Sequence, residues 1–212
     1  MDIEITGEDP LNYGKIQMNC DHRLDTDKLP FPNALASFVS GFFLMICGSS
    51  GSGKTNLLIS LLKTKNKQKV RRSFKKIFDN VIVVSPSLKT LKDPIYDGLK
   101  HKFTTWDDET MDQVEALLDE NDEIEDDDDD PTPERSLLIL DDCGSQLKGG
   151  NLEKRFDHLV KNRRHRHLSI IVVSQKYKDC TTTVRSNLSH FIFFKPRNSY
   201  EASSIQEEML NQ

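Results

Sequence analysis

The stretch FFLMICGSSGSGKTNLL, residues 42–58, decides how this chain folds. Its first six residues, Phe42 to Cys47, are apolar throughout and predict a buried strand. A leucine-rich segment from Asn56 to Lys63 predicts a helix. The loop between them matches the pattern G-x-x-x-x-G-K-[ST] through Gly48, Gly53, Lys54 and Thr55. A strand, a glycine-rich loop and a helix in this order are the context in which the pattern binds phosphate groups.

The chemistry of the loop follows from its residue types. Glycines let backbone N–H groups turn toward phosphate oxygens without a Cβ in the way, and the helix N-terminus adds partial positive charge. Lys54 is expected to be an exposed ligand of the β and γ phosphates, and the Thr55 hydroxyl is expected to bind Mg²⁺. A flexible turn rich in Gly and Ser is the alternative interpretation. The predicted ATP-binding residues are Gly48, Ser49, Ser50, Gly51, Ser52, Gly53, Lys54 and Thr55.

Length and composition favour one α/β domain. The chain has 212 residues, 36 % of them hydrophobic, and no stretch is apolar for long enough to predict a membrane span. The first ten residues are acidic and polar, which predicts no secretory signal. The four cysteines are scattered without a C-x-x-C spacing. This distribution disfavours zinc and disulfides and favours a reducing, intracellular setting.

The net charge is −5, but the chain outside residues 119–130 has more basic than acidic residues. Residues 119–130 contain ten acidic residues and no basic one, so the rest of the chain has 29 basic and 24 acidic residues, a balance of +5. Eight Lys or Arg lie in Lys63–Lys76, and four more lie in Lys161–His167. Such clusters suit a polyanion, although for either cluster alone a solvated surface is the favoured interpretation. The acidic run, followed by Pro131-Thr132-Pro133, predicts a disordered loop.

Further apolar runs predict a parallel sheet. Buried strands are predicted at 81–84, 137–140, 169–174 and 191–194, and a short strand is compatible with 102–105. Helical spacing is found at 108–118 and 152–160. Apolar strands that alternate with helices predict an α/β fold with a mostly parallel five-stranded core sheet and helices on both faces. The predicted organisation is a lead-in at 1–40, an ATPase domain at 41–196 with a disordered insertion at 119–134, and a short tail at 197–212.

Polar residues follow two of these strands. Asp141 and Asp142 come directly after a buried strand, at the sheet edge where open α/β sheets bind ligands. Asp141 is expected to bind Mg²⁺, as a Walker-B aspartate does, and Asp142 to orient and deprotonate the attacking water. Gln175 ends another buried strand and is expected to face the γ-phosphate. An acidic turn and an ordinary loop amide are the structural alternatives.

Arginines offer candidates for a catalytic cation from a neighbouring subunit, because such a residue stabilises charge on a transferring phosphoryl group. Arg166 is the first choice, since it lies nearest the start of the strand that ends at Gln175. A DNA-facing or merely solvated turn is the alternative. The candidates are Arg163, Arg164, Arg166 and Arg185.

The order of these motifs resembles one family. A phosphate loop, Leu-Leu-Ile-Leu-Asp-Asp, a basic Arg-His segment, an apolar strand ending in Gln and then Val184-Arg185-Ser186-Asn187 resemble the poxvirus-type genome-packaging ATPases of the FtsK/HerA superfamily. The resemblance covers residues 42–194. It implies that the Gln175 strand lies between the phosphate-loop strand and the Asp141 strand. The poly-aspartate run and the early end of the chain depart from the family pattern.

The resemblance also implies a function. It implies a homo-oligomeric ring that hydrolyses ATP with Mg²⁺ and drives double-stranded DNA into a viral capsid. A capsid or portal-vertex protein would be a partner, and the setting would be the host-cell cytoplasm and the virion. Two alternatives remain open: a nucleotide-dependent switch acting on a protein partner, and a small-molecule kinase. The kinase is weakened because no lid-like or acceptor-binding arginine pattern is present, and the switch is weakened by Gln175 and the arginine cluster.

Overall fold

The sheet has six strands, and all neighbouring strands are parallel, in the order β3-β2-β4-β5-β1-β6. This computed structural model describes residues 41–63, 77–88, 94–126, 134–196 and 198–210. The strands are β1 (Phe43–Cys47), β2 (Asn80–Val84), β3 (His101–Phe103), β4 (Ser136–Asp141), β5 (Leu168–Ser174) and β6 (His190–Phe193). The helices are α1 (Lys54–Lys63), α2 (Asp108–Asp126), α3 (Gly150–Asn162), α4 (Thr182–Ser186) and α5 (Ser199–Ile205).

The parallel α/β fold is confirmed, and one detail of it is corrected. The sheet has six strands where five were predicted, because the weak candidate near 102–105 forms β3. This strand is only three residues long and lies at the edge of the sheet, so its sequence, His-Lys-Phe, carries no buried apolar run. The order of the central strands confirms that β5 lies between β1 and β4.

Apolar layers cover both faces of the sheet, as predicted. Alternate residues of β1 point to opposite faces. Leu44 and Ile46 belong to one layer, together with Leu58 and Leu62 of α1. The other layer contains Phe43, Met45 and Cys47 together with apolar residues of α2 and α3, namely Met111, Val114, Phe156 and Leu159. The helix α1, which follows the phosphate loop, is thereby anchored to the sheet by burial of its leucines.

Two predicted boundaries differ from the structure. Helix α2 continues through Asp126, so the first part of the acidic run is helical rather than a loop. No Pro or Gly interrupts the chain between Asp108 and Asp126, which removes the residues that most strongly terminate a helix. Residues 199–210, predicted as part of a tail, form α5 and a π-helical turn, Gln206–Leu210, with Ser204 and Ile205 buried.

Other predictions fall on residues outside the described ranges. They include the lead-in at 1–40, the remainder of the acidic run at 127–133, and all of the basic cluster Lys63–Lys76 except Lys63 itself. The second basic cluster, Lys161–His167, is described in full and follows α3.

Candidate functional site

Three predicted segments meet at one edge of the sheet. The phosphate loop leaves β1, Asp142 follows β4, and Gln175 follows β5. In the register of the sheet, Cys47 at the end of β1 pairs with Ser174, and Asp141 pairs with Val173. The carboxyl ends of three neighbouring parallel strands therefore lie side by side, as expected for a ligand site in an open α/β sheet.

Glycines in the phosphate loop are required for two different reasons. Gly51 and Gly53 have φ angles of 74° and 95°, a region that is costly for residues with a Cβ. Gly48 instead permits a close approach, since a Cβ at this position would lie 2.6 Å from Cβ of Phe194. Its N–H donates to the carbonyl of Ser174 at 3.2 Å. The start of the loop is thus fixed between the segments that leave β5 and β6.

Lys54 lies within the loop rather than above it. Its relative exposure is 9 %, in contrast to the exposed ligand predicted, and its Nζ donates to the Ser49 carbonyl at 2.9 Å. The buried Oγ of Ser52 has no hydrogen-bond partner in the structure. The first N–H groups of α1 also have no partner within the helix. The Lys54 ammonium, the Ser52 hydroxyl and the first amides of α1 all belong to the phosphate loop and the helix start that follows it, and we expect them to form a cradle for an anion.

Asp141 is the buried acid of the site. Its relative exposure is 2 %, and the hydroxyl groups of Ser85 and Thr55 lie close enough to its carboxylate to lower its pKa. Burial and, secondly, the carboxylate of Asp142 raise the pKa of Asp141 to about 6, and Lys54 and the two hydroxyl groups partly offset this rise. Thr55 and Asp141 therefore present two oxygen ligands next to the cradle.

Sequence reasoning overlooked Ser85. This buried residue directly follows β2, which is the neighbour of β4 in the sheet. Its hydroxyl lies 3.0 Å from that of Ser87 and close enough to the Asp141 carboxylate to lower the pKa of that group. The available signal was a polar residue at the end of an apolar strand, the same signal that singled out Gln175.

Asp142 and Gln175 form a pair. Nε2 of Gln175 donates to both carboxylate oxygens of Asp142, at 2.9 and 3.1 Å. Asp142 is exposed and has a φ angle of 60°, which an Asp tolerates better than most residues. Its backbone N–H donates to the Val173 carbonyl of β5 at 3.0 Å. The structure thus joins two of the predicted catalytic residues directly, across neighbouring strands.

Two of the four candidate arginines are buried. Arg163 donates to the backbone carbonyls of Gly41, Val160 and Asn187, at distances of 3.0, 2.7 and 2.9 Å. Arg185 is paired with Glu208 of the C-terminal segment, with Nε 2.8 Å from Oε2. Both guanidinium groups connect parts of one subunit.

The other two arginines differ in their contacts. Arg166 is paired with Asp119 of α2 and is half-buried. Arg164 is exposed and forms no ion pair with a described residue. Its backbone packs against Gly41, where a Cβ would lie 2.9 Å from Cα of Arg164, so this glycine with its φ angle of 56° permits the close approach. Together with Lys161 and Arg163, Arg164 lines a surface cavity of about 220 Å³.

Comparison with known families identifies the chain. Residues 35–209 match the sequence profile of the family described as Poxvirus A32 protein. The chain belongs to this family. The resemblance stated from the sequence, to poxvirus-type packaging ATPases, is thereby confirmed. A comparison with curated protein sequences found no significant match.

Solved structures share the fold of this A32-family chain at low identity. The DNA-packaging ATPase B204 from Sulfolobus Turreted Icosahedral Virus is 16 % identical, with 81 % of this chain and 83 % of that chain covered and a TM-score of 0.56. B204 from Sulfolobus turreted icosahedral virus 2, in complex with ATP-gammaS, is 16 % identical, with 79 % and 81 % covered and a TM-score of 0.54. EssC (ATPases 2 and 3) from Geobacillus thermodenitrificans is 13 % identical, with 79 % and 34 % covered and a TM-score of 0.57.

No helix in the described part of the chain is both long enough and apolar enough to cross a membrane.

Proposed function

We propose that this protein is an ATP-hydrolysing motor that moves double-stranded DNA into a viral capsid. The observation that carries the proposal is the anion cradle around Lys54 with the Asp142–Gln175 pair beside it at the same sheet edge. Membership of the A32 family and the fold shared with B204, a DNA-packaging ATPase, support it.

The cradle binds the phosphates of ATP. Nζ of Lys54 exchanges its bond to the Ser49 carbonyl for phosphate oxygens, which attract the ammonium group more strongly because they are charged. The free N–H groups at the start of α1 and the unpaired Ser52 hydroxyl donate to the same anion. Binding therefore satisfies polar groups that the nucleotide-free protein leaves without partners.

The residues present fit Mg²⁺. Magnesium prefers oxygen ligands, and the Thr55 hydroxyl and the nearby Asp141 carboxylate supply two of them. When bound, the ion neutralises charge on the β and γ phosphates. Loss of the proton from Asp141, with its pKa of about 6, leaves the carboxylate in the charged form that binds a cation near neutral pH.

Asp142 is the general base. An attacking water transfers a proton to its carboxylate as the oxygen bonds to the γ-phosphorus, and ADP departs with the electrons of the broken P–O bond. Gln175 fixes the direction of the carboxylate through its two hydrogen bonds, and in this proposal its side chain also faces the γ-phosphate.

The active form is a homo-oligomeric ring with sites shared between neighbours. Arg164 is the best candidate for the cation supplied to the adjacent site, since it is exposed and forms no ion pair with a described residue. The first choice from the sequence, Arg166, is already engaged by Asp119. An arginine serves this role well because its planar group contacts two phosphate oxygens at once.

DNA binding draws on the basic part of the chain. Lys161 is exposed beside the buried Arg163 guanidinium, and no carboxylate pairs with Arg163 in the described structure. Such a surface attracts the DNA backbone irrespective of sequence. A capsid or portal-vertex protein is the proposed docking partner, and the proposed setting is the host-cell cytoplasm and the virion.

The decisive experiment is ATP hydrolysis with and without double-stranded DNA. A motor is expected to be stimulated by DNA, with the stimulation decreasing as salt rises. Heparin serves as a control polyanion, and Lys54→Ala serves as the inactive control. Hydrolysis that DNA leaves unchanged at low salt would favour a nucleotide-dependent switch over a motor.

A further inference from the structure

Asp179 accepts hydrogen bonds from the residues on both sides of Gln175. The hydroxyl of Ser174, which precedes Gln175, donates to Oδ2 of Asp179. The backbone N–H of Lys176, which follows Gln175, donates to the same oxygen at 3.2 Å. One carboxylate oxygen thus holds both neighbours of the residue whose amide is paired with Asp142.

The turn that contains Asp179 is closed by further contacts. Residues Tyr177–Asp179 form a short 3-10 helix, and the Asp179 N–H donates to the Lys176 carbonyl at 3.2 Å. The Lys176 N–H also lies 3.3 Å from the Ser174 hydroxyl oxygen. These contacts do not use the Gln175 side chain, so they fix its backbone and leave its amide available.

The same carboxylate packs against the segment that follows β4. Gly144 is buried and closely follows Asp142. A Cβ added to Gly144 would lie 2.5 Å from Oδ2 of Asp179 and 2.7 Å from its Cγ. Gly144 does not have a positive φ angle, so the close approach of Asp179 is what requires a residue without a side chain. Asp179 therefore touches both segments that carry the Asp142–Gln175 pair.

Ser174 connects this arrangement to the phosphate loop. It pairs with Cys47 in the register of β5 and β1, and its carbonyl accepts from the Gly48 N–H at 3.2 Å. Its hydroxyl binds Asp179 while its carbonyl binds the start of the loop. All three segments at this sheet edge are thus connected to one carboxylate, directly or through Ser174.

We propose that Asp179 is a positioning residue for ATP hydrolysis. Its carboxylate fixes the backbone around Gln175, so that the Gln175 amide holds Asp142 in line with the attacking water. A long amide side chain can align a base only if its own backbone is held in place. The inference rests on the proposed function, in which Asp142 is the general base, and it assigns Asp179 no contact with the nucleotide.

Steady-state ATP hydrolysis by Asp179→Ala tests the proposal. This variant is expected to lower kcat about fivefold and to change KM less than about twofold, because alignment of the base affects the transition state more than ground-state binding. Asp179→Asn keeps an oxygen acceptor and is expected to retain at least half of the wild-type kcat. Asp157→Ala is the matched control and should keep the wild-type kcat, since Asp157 of α3 also accepts from a hydroxyl, that of Thr181 at 2.9 Å.

A double variant separates positioning from a general loss of stability. Asp179→Ala introduced into Gln175→Ala is expected to lower kcat less than about twofold further, because the carboxylate acts through Gln175. A further loss as large as that of Asp179→Ala alone overturns the proposal. So does a loss in Asp179→Asn that equals the loss in Asp179→Ala.

Gly144→Ala displaces the same carboxylate from the other side, which keeps the proposal testable if Asp179→Ala does not fold. It is expected to lower kcat about fivefold in the wild-type background and less than about twofold in Gln175→Ala. A wild-type kcat in Asp179→Ala, or in Gly144→Ala if only that variant folds, overturns the positioning role and leaves the proposed function intact. A wild-type protein that does not hydrolyse ATP overturns the proposed function and this inference with it.

Discussion

One amide nitrogen of Gln175 donates to both carboxylate oxygens of Asp142, at 2.9 and 3.1 Å, and so connects the ends of β5 and β4. Asp142 is exposed and has a left-handed backbone, so neither burial nor ordinary strand geometry would fix its carboxylate. The hydrogen bonds from Gln175 supply that constraint. A base that must be aligned with an attacking water depends on such positioning.

Replacement of this amide is expected to slow the chemical step. Gln175→Ala should lower kcat for ATP hydrolysis about tenfold and change KM less than about twofold, because alignment of the base affects the transition state more than ground-state binding. Steady-state phosphate release measures both constants.

Asp142→Asn should bind ATP but lower kcat at least a hundredfold, within the usual contribution of a general base. A double variant that carries both Gln175→Ala and Asp142→Asn should then be no slower than Asp142→Asn alone, because Gln175 acts through Asp142. A further tenfold loss in the double variant would show that Gln175 acts independently, for example on the γ-phosphate itself. Normal turnover by Asp142→Asn would require a different base.

Lys54→Ala is expected to abolish ATP hydrolysis, because it removes the cation that the cradle places against the β and γ phosphates. The fold should persist, since the described hydrogen bond of this side chain is to a carbonyl within the loop itself, that of Ser49. Lys63→Ala, at the other end of α1, is the matched control and should retain activity. Turnover by Lys54→Ala near the wild-type rate would refute the assignment of the loop.

Asp141 should make the nucleotide-free protein more stable in mild acid. Its folded-state pKa of about 6 lies above the ordinary value of 3.8, so the folded state binds the proton more tightly than the unfolded state does. The stabilising contribution of that proton is complete below the ordinary value and is lost as the pH rises through about 6.

The effect can be separated from other titrating groups with Asp141→Asn. At pH 7 this variant should melt a few degrees higher than the wild type without nucleotide, since a buried charge is removed. The difference should shrink toward pH 4, and the variant should also lose Mg²⁺-dependent ATP binding. Equal melting temperatures for Asp141→Asn and the wild type at pH 7 would show that the buried, charged carboxylate does not lower the stability of the fold.

Arg164→Ala subunits and Lys54→Ala subunits should each be inactive alone and partly active when mixed. In a mixed ring some interfaces pair an intact loop with an intact arginine, and such a residue contributes on the order of a thousandfold to the rate. The measurement is ATPase activity against mixing ratio with DNA present. Arg166→Ala is the comparison, because Arg166 is paired with Asp119.

Each result of the mixing experiment assigns the residue. If mixing with Lys54→Ala subunits restores activity to Arg164→Ala subunits but not to Arg166→Ala subunits, Arg164 supplies the cation. If mixing restores activity only to Arg166→Ala subunits, Arg166 supplies it. Absence of recovery at any ratio, together with a monomer at working concentration, would exclude shared sites.

The sequence by itself determined the fold class and the parts of the site that are contiguous in the chain. Apolar runs are long enough to identify five strands, and Lys54 and Thr55 lie in one loop whose pattern has a local physical meaning. The ends of β4 and β5 were recognisable because a polar residue directly follows an apolar run in each. Local signals of this kind do not depend on what the rest of the chain contributes.

Only the tertiary structure decided which side chains meet. Ser85 lies near Asp141, and Gln175 is hydrogen-bonded to Asp142, although these residues are far apart in the chain. Arg163 and Arg185 are likewise buried against distant residues, Gly41 and Glu208. The four candidate arginines carry the same charge, but burial and hydrogen bonding in the folded chain give them different partners. Strand order and packing set those partners, because they bring the carboxyl ends of β1, β4 and β5 to one edge, and no run of neighbouring residues encodes that adjacency.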